Sequence, residues 1–111
     1  MKVIKFYESI DKDEPLIGDY VICEININTP VYNYINSHVS KLIKIYTYAN
    51  IQEFYVIQYD EVPDNIRNQF IKIHKNEKFV YTYETGRTGI KYWSKDKKKL
   101  ELILKTDKFN I

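Results

Sequence analysis

The stretch VSKLIKIYTYANIQEFYVIQYD, residues 39–60, decides the fold. Its first arm, residues 39–49, is rich in β-branched and aromatic side chains, and Ile43 and Ile45 face opposite ways from Lys44. Asn50-Ile51-Gln52 reads as a turn, and residues 53–60 return as the hairpin partner. Such period-two alternation is what half-buried antiparallel strands require. EVPDNIRNQF, residues 61–70, comes next. Pro63 enforces a turn, Asp64 has donors to cap, and Ile66 and Phe70 lie four apart on one face, so a helical turn is expected.

Upstream, KVIKFY (2–7) is β-prone and ESIDKDEP (8–15) is a polar loop. Gly18-Asp19 punctuates the start of a strand expected over 18–28, where Val21, Cys23, Ile25 and Ile27 alternate with Ile22, Glu24 and Asn26. Thr29 is a good N-cap and Pro30 suits the first helical position. Val31, Tyr34 and Ile35 then follow at helical spacing, in a turn that ends at His38. Downstream, IKIHK (71–75) reads as a short strand. KFVYTYE (78–84) and TGIKYW (88–93) read as a hairpin around TGRTG, whose two glycines permit positive φ. SKDKKKLELILKTD (94–107) reads as a helix with Ser94 as N-cap and Leu100, Ile103 and Leu104 on its apolar face. Trp93 is placed to staple onto that face, and Phe109 and Ile111 of the tail to dock.

The 111 residues make one domain, 1–111, with 44% hydrophobic residues and 29% charged, which excludes a disordered chain. Eleven Tyr are unusual, and Tyr suits a half-buried pleated surface. The single cysteine, Cys23, excludes an internal disulfide or a cysteine zinc cluster, and its apolar strand pattern makes it a core residue. No apolar run is long enough to span a bilayer, and the first residues carry no signal-peptide pattern. A soluble cytoplasmic protein without membrane partners is the expectation. Charge divides unevenly: residues 1–71 carry −4 and residues 72–111 carry +6. An acidic front and a basic back can give one domain a two-signed surface.

IGDYVICEI, followed by the hairpin of residues 39–60, resembles the opening of SH3-like small barrels of the KOW and Tudor kind. Those modules begin with a Gly-Asp-x-Val strand, matched here by Gly18, Asp19 and Val21, and a third strand ends in Val-x-Tyr-Asp. Ser40-Lys41 stands where their second strand usually carries Gly. The resemblance covers residues 17–60. It implies a non-catalytic binder of peptide or nucleic acid. The chain also resembles small bacteriophage proteins in its Tyr, Ile, Lys and Asn bias, which would place it in a host cytoplasm. The expected fold is α+β and β-rich. It is either a small SH3-like barrel or a strongly bent antiparallel sheet, with short helical insertions and a C-terminal helix.

Catalytic patterns are weak. His38 and His74 lack metal-ligand spacing, no nucleophile elbow is present, and TGRTG lacks the spacing of a phosphate-binding loop. Asp60, Glu61 and Asp64, and then Asp11, Asp13 and Glu14, are the acidic clusters, and both read as loop punctuation. The expectation is therefore no enzyme, no metal and no cofactor. Two binding surfaces remain. Tyr46, Tyr48, Tyr55 and Tyr59 lie on paired strands and form a candidate aromatic face for a protein partner, host or phage, for which the chain would be a binding module or an inhibitor. Arg87, Lys91, Tyr92, Trp93, Lys95, Lys97, Lys98 and Lys99 interleave cations with rings. That pattern suits nucleic acid, single-stranded or structured, or an acidic partner.

Overall fold

The computed structural model describes residues 14–109. The elements run β1 (Tyr20–Cys23), α1 (Pro30–Ser37), β2 (Ser40–Tyr48), β3 (Gln52–Tyr59), a 3-10 helix (Asp64–Gln69), β4 (Ile71–Lys75), β5 (Lys78–Gly86), a 3-10 turn (Arg87–Gly89), β6 (Ile90–Ser94) and α2 (Lys97–Phe109). The strands form one antiparallel sheet in the order β4-β5-β3-β2-β1-β6. It is an open sheet, not a closed barrel. The segments 2–7 and 8–13, and Ile111, lie outside the described residues.

The sheet is strongly bent, and its connectivity requires this. Only Arg87–Gly89 separate the end of β5 from the start of β6, although three strands lie between those two in the sheet. Four strand spacings in a flat sheet come to roughly 19 Å. Four residue steps of extended chain reach at most about 14 Å. Therefore β6 must curl back toward β5. It pairs with β1 instead, Val21 opposite Trp93 and Ile22 opposite Tyr92. This corrects the hairpin expected around TGRTG: β5 pairs with β3 and β4, and β6 with β1. Nor do the loop's glycines serve positive φ. Gly86 has φ −78. Gly89 is needed because a Cβ there would collide with the Thr85 hydroxyl, and its carbonyl accepts the Glu24 N–H at 2.9 Å.

Two apolar clusters lie on the two faces of β1. Val21 and Cys23 face the main core with Val31 and Ile35 of α1, Leu42, Ile57 and Ile66. Ile22 faces the other way, onto Leu100 and Ile103 of α2. β1 is therefore apolar at successive positions rather than alternating. It is also shorter than expected. The strand stops at Cys23 because the Asn36 side chain takes over as partner for Ile25. Its Oδ1 accepts the Ile25 N–H at 2.8 Å and its Nδ2 donates to the Ile25 carbonyl at 2.7 Å. Ile27 is left 52% exposed.

Local signals account for the remaining boundaries. Gly18 has φ +100 and donates to the Leu42 carbonyl, while Asp19 carboxylate oxygens take the Leu16 N–H at 2.8 Å and the Lys95 ammonium at 3.2 Å. Thr29 caps α1, accepting the Tyr32 N–H. Ala49 and Asn50, both at positive φ, turn β2 into β3 with Tyr48 opposite Gln52. Three expected caps and contacts are corrected. Pro63, not Asp64, precedes the first 3-10 helix; Asp64 instead bonds Arg67 at 2.8 Å. Asp96 caps α2 through the Lys98 N–H, whereas Ser94 is buried and accepts the Asp96 N–H. Tyr92, rather than Trp93, packs beside the α2 cluster, and Trp93 turns to the main core.

Gly89→Ala is expected to lower stability by about 1–3 kcal/mol, because the new methyl displaces Thr85. Most of that loss should disappear in a Thr85→Ala background. Urea unfolding of the four variants of this double-mutant cycle measures it; additive losses would contradict the contact.

Candidate binding surfaces

The basic segment is spread over two faces. The Arg87 guanidinium stands 4.5 Å over the Trp93 ring, bonds Glu14 at 2.6 Å and donates to the Ile90 carbonyl. Lys91 pairs with Glu24 at 3.2 Å and Lys95 with Asp19 at 3.2 Å. Tyr92 packs beside the α2 cluster and Trp93 beside the main core, so the two neighbouring rings do not share a platform. Lys97, Lys98 and Lys99 occupy the first turn of α2, with Lys97 6.0 Å from the centre of the Tyr20 ring. Acids from the front of the chain thus reach Arg87, Lys91 and Lys95 of this segment, and the two-signed sequence folds partly onto itself.

The four tyrosines do not form one face. Tyr55 and Tyr59 are buried, at 2% and 4% exposure, and point into the main core. Tyr46 and Tyr48 lie on the opposite face of the hairpin. Tyr46 stands opposite Phe54 with ring centres 5.4 Å apart, and Tyr48 is 70% exposed. The reason is parity: Tyr55 pairs with Ile45, one residue out of step with Tyr46. Two residues outside the expected set lie on this hairpin too: Phe54, half-buried against the half-buried Tyr46, and Ile51, 87% exposed at the turn.

The acids of the 60–64 loop have local partners, and Asp60 and Glu61 also line a cavity beside α1 and α2. Asp60 stands 3.9 Å from Lys78, Asp64 pairs with Arg67, and the Glu61 carbonyl accepts the Tyr34 hydroxyl at 2.9 Å. Of the second cluster, Asp11 and Asp13 lie outside the described residues, and Glu14 pairs with Arg87. His38 stacks on Tyr34 at 3.9 Å and bonds the Tyr34 carbonyl, while His74 lies against Phe79. Among the described residues no three His, Cys, Asp or Glu gather as metal ligands. Cys23 is 2% exposed, and burial pushes its thiol up to about 12, which suits a core residue rather than a nucleophile. Among the described residues no helix is long and apolar enough to cross a membrane.

A cavity of about 370 Å³ opens between the end of α1, the strands β2 and β3, and the first turns of α2, lined among others by Tyr34, His38, Ser40, Gln58, Tyr59 and Lys97. Ser40, Gln58 and Tyr59 are among its lining residues, and the Tyr59 hydroxyl is buried beside that of Ser40. Burial raises the pKa of the Tyr59 phenol, so it keeps its proton and can donate as well as accept. Residues of β1, α1, β2, β3 with its following loop, and α2 supply the walls, which is why no single motif announced the cavity.

No family model, curated protein or solved structure matches this chain.

Tyr34→Phe, which breaks the bond to the Glu61 carbonyl, is expected to cost ~0.5–1.5 kcal/mol of stability in urea denaturation. An unchanged midpoint would contradict that bond.

Proposed function

We propose that the chain is a non-catalytic binding module of the small SH3-like kind, and that its partner is a protein. The carrying observation is the outer face of the β2–β3 hairpin. Tyr48 is 70% exposed there, with the half-buried rings of Tyr46 and Phe54 on the same face, and Ile51 at the turn is 87% exposed. Tyrosines backed by a rigid hairpin present large apolar area at low entropic cost, which is the make-up of an interface anchor. Ion pairing of Arg87, Lys91 and Lys95 within the chain favours this reading over nucleic acid, since binding phosphates there would first have to displace carboxylates. On this reading the chain works as an adaptor or as an inhibitor of a host or phage protein.

Affinity capture from the cells that express the protein, followed by titration of the recovered partner, tests the proposal. Tyr48→Ala is expected to weaken that complex by about 30-fold, a hot-spot loss of ~2 kcal/mol, with the circular dichroism spectrum unchanged. Titration with single-stranded and duplex DNA and RNA across a salt series is the counter-experiment. Tight, salt-sensitive nucleic-acid binding abolished by Lys97→Glu, Lys98→Glu and Lys99→Glu together, with no effect of Tyr48→Ala, would overturn the protein reading.

A further inference from the structure

We infer that β4 is a self-pairing edge, and that two copies of this chain join antiparallel through Ile71–Lys75 about a two-fold axis at Ile73. The argument begins with the turn. Asn76 and Glu77, with φ of 51 and 66, connect Lys75 to Lys78, which stand opposite each other. A two-residue loop of this kind closes on a hydrogen-bonded pair. Antiparallel pairs then alternate, so Lys75, Ile73 and Ile71 direct their N–H and C=O groups toward β5. The Thr82 hydroxyl bond to the Ile71 carbonyl, at 3.2 Å, agrees with that phase. Lys72 and His74 therefore direct theirs away from β5. On that side no strand lies among the described residues.

Those two residues flank Ile73 symmetrically. A second copy placed antiparallel about Ile73 sets Lys72 opposite the partner's His74 and His74 opposite the partner's Lys72. Each is a hydrogen-bonded pair, so the outward N–H and C=O groups of both residues are satisfied. Ile73 then faces the partner's Ile73 across a non-hydrogen-bonded pair, the arrangement that brings side chains closest. Ile71 falls opposite the aliphatic stem of the partner's Lys75. The neighbouring registers are worse. An axis at Lys72 pairs Ile71 with the partner's Ile73 but sets the two Lys72 side chains directly opposite each other and leaves the outward groups of His74 facing Phe70, beyond the start of the partner strand. An axis at His74 sets Ile71 opposite the partner's Glu77 and Ile73 opposite the partner's Lys75, which separates the apolar pair.

Side-chain placement leaves this edge open. All five residues of β4 are exposed, and Ile71 and Ile73, at 65% and 41%, are apolar on one face. Edge strands are usually guarded by lysine. Here the Lys72 ammonium folds 4.3 Å over its own Phe79 ring, and His74 lies 5.0 Å from the same ring, so both are drawn onto the other face of the hairpin. Five residues a side make a small interface, and the association belongs to the weak, concentration-dependent class. The surface is separate from the β2–β3 hairpin.

Cysteine cross-linking reads the register directly. With Cys23 buried, Ile73→Cys is expected to oxidise in air to a disulfide-linked dimer, because facing residues of a non-hydrogen-bonded pair lie within disulfide reach. Lys72→Cys should cross-link at least tenfold more slowly, since it faces His74. Sedimentation equilibrium supplies the second arm: the unmodified chain is expected to show a monomer–dimer equilibrium, and Ile73→Lys to remain monomeric with an unchanged circular dichroism spectrum. A chain that stays monomeric into the millimolar range overturns the inference. So does an Ile73→Cys variant that links no faster than Lys72→Cys, or a dimer that survives Ile73→Lys.

Discussion

The short path from β5 to β6 is the constraint on which the rest of the structure depends. Three residues must carry the chain past three strands, and only a sheet that coils back on itself permits this. Coiling gives the sheet an inside, where Val21, Leu42, Tyr55, Ile57 and Tyr59 meet α1. It also brings β6 against β1, and so delivers α2 onto the outer side of β1, where Ile22 receives Leu100 and Ile103. Gly89 is the tightest point of that path. Its missing side chain makes room for Thr85, and its carbonyl is tied to Glu24 at the end of β1.

The same coiling decides which functional groups remain available. It turns Tyr55 and Tyr59 inward and Tyr46, Tyr48 and Phe54 outward. It draws Glu14, Asp19 and Glu24 onto Arg87, Lys95 and Lys91, converting much of a basic segment into internal pairing. Pairs this exposed contribute little to stability, but they occupy the cations. The polar cavity beside Ser40, Gln58 and Tyr59 forms where α1, α2 and the strands diverge.

What could be read in the sequence was what local chemistry controls. The Thr29-Pro30 helix start, the turn before Gln52, the short strand 71–75 and the inward pair Ile66 and Phe70 all follow from neighbouring residues. The β-rich class with a terminal helix followed from the same signals. Partner choice was not legible. A glycine-rich loop between two β-prone runs reads as a hairpin, and nothing local says that its second arm pairs with a strand seventy residues earlier. Likewise, Ile25 and Ile27 keep the period of a strand, but the amide of Asn36 takes the backbone of Ile25 out of the sheet. One-residue parity separated Tyr92 from Trp93 and Tyr46 from Tyr55, and that parity is set by register. The candidate surfaces inherit these limits. Half of the aromatic set is displayed, and the cavity is assembled from distant segments.

Backbone nuclear Overhauser effects between β6 and the rest of the sheet test the coiled connection most directly. The account predicts cross-strand contacts between Val21 and Trp93 and between Tyr20 and Ser94, with none joining β6 to β5 in a continuous ladder. A ladder running from Glu84 and Tyr83 to Ile90 and Lys91, as in a simple hairpin around Arg87, would contradict it.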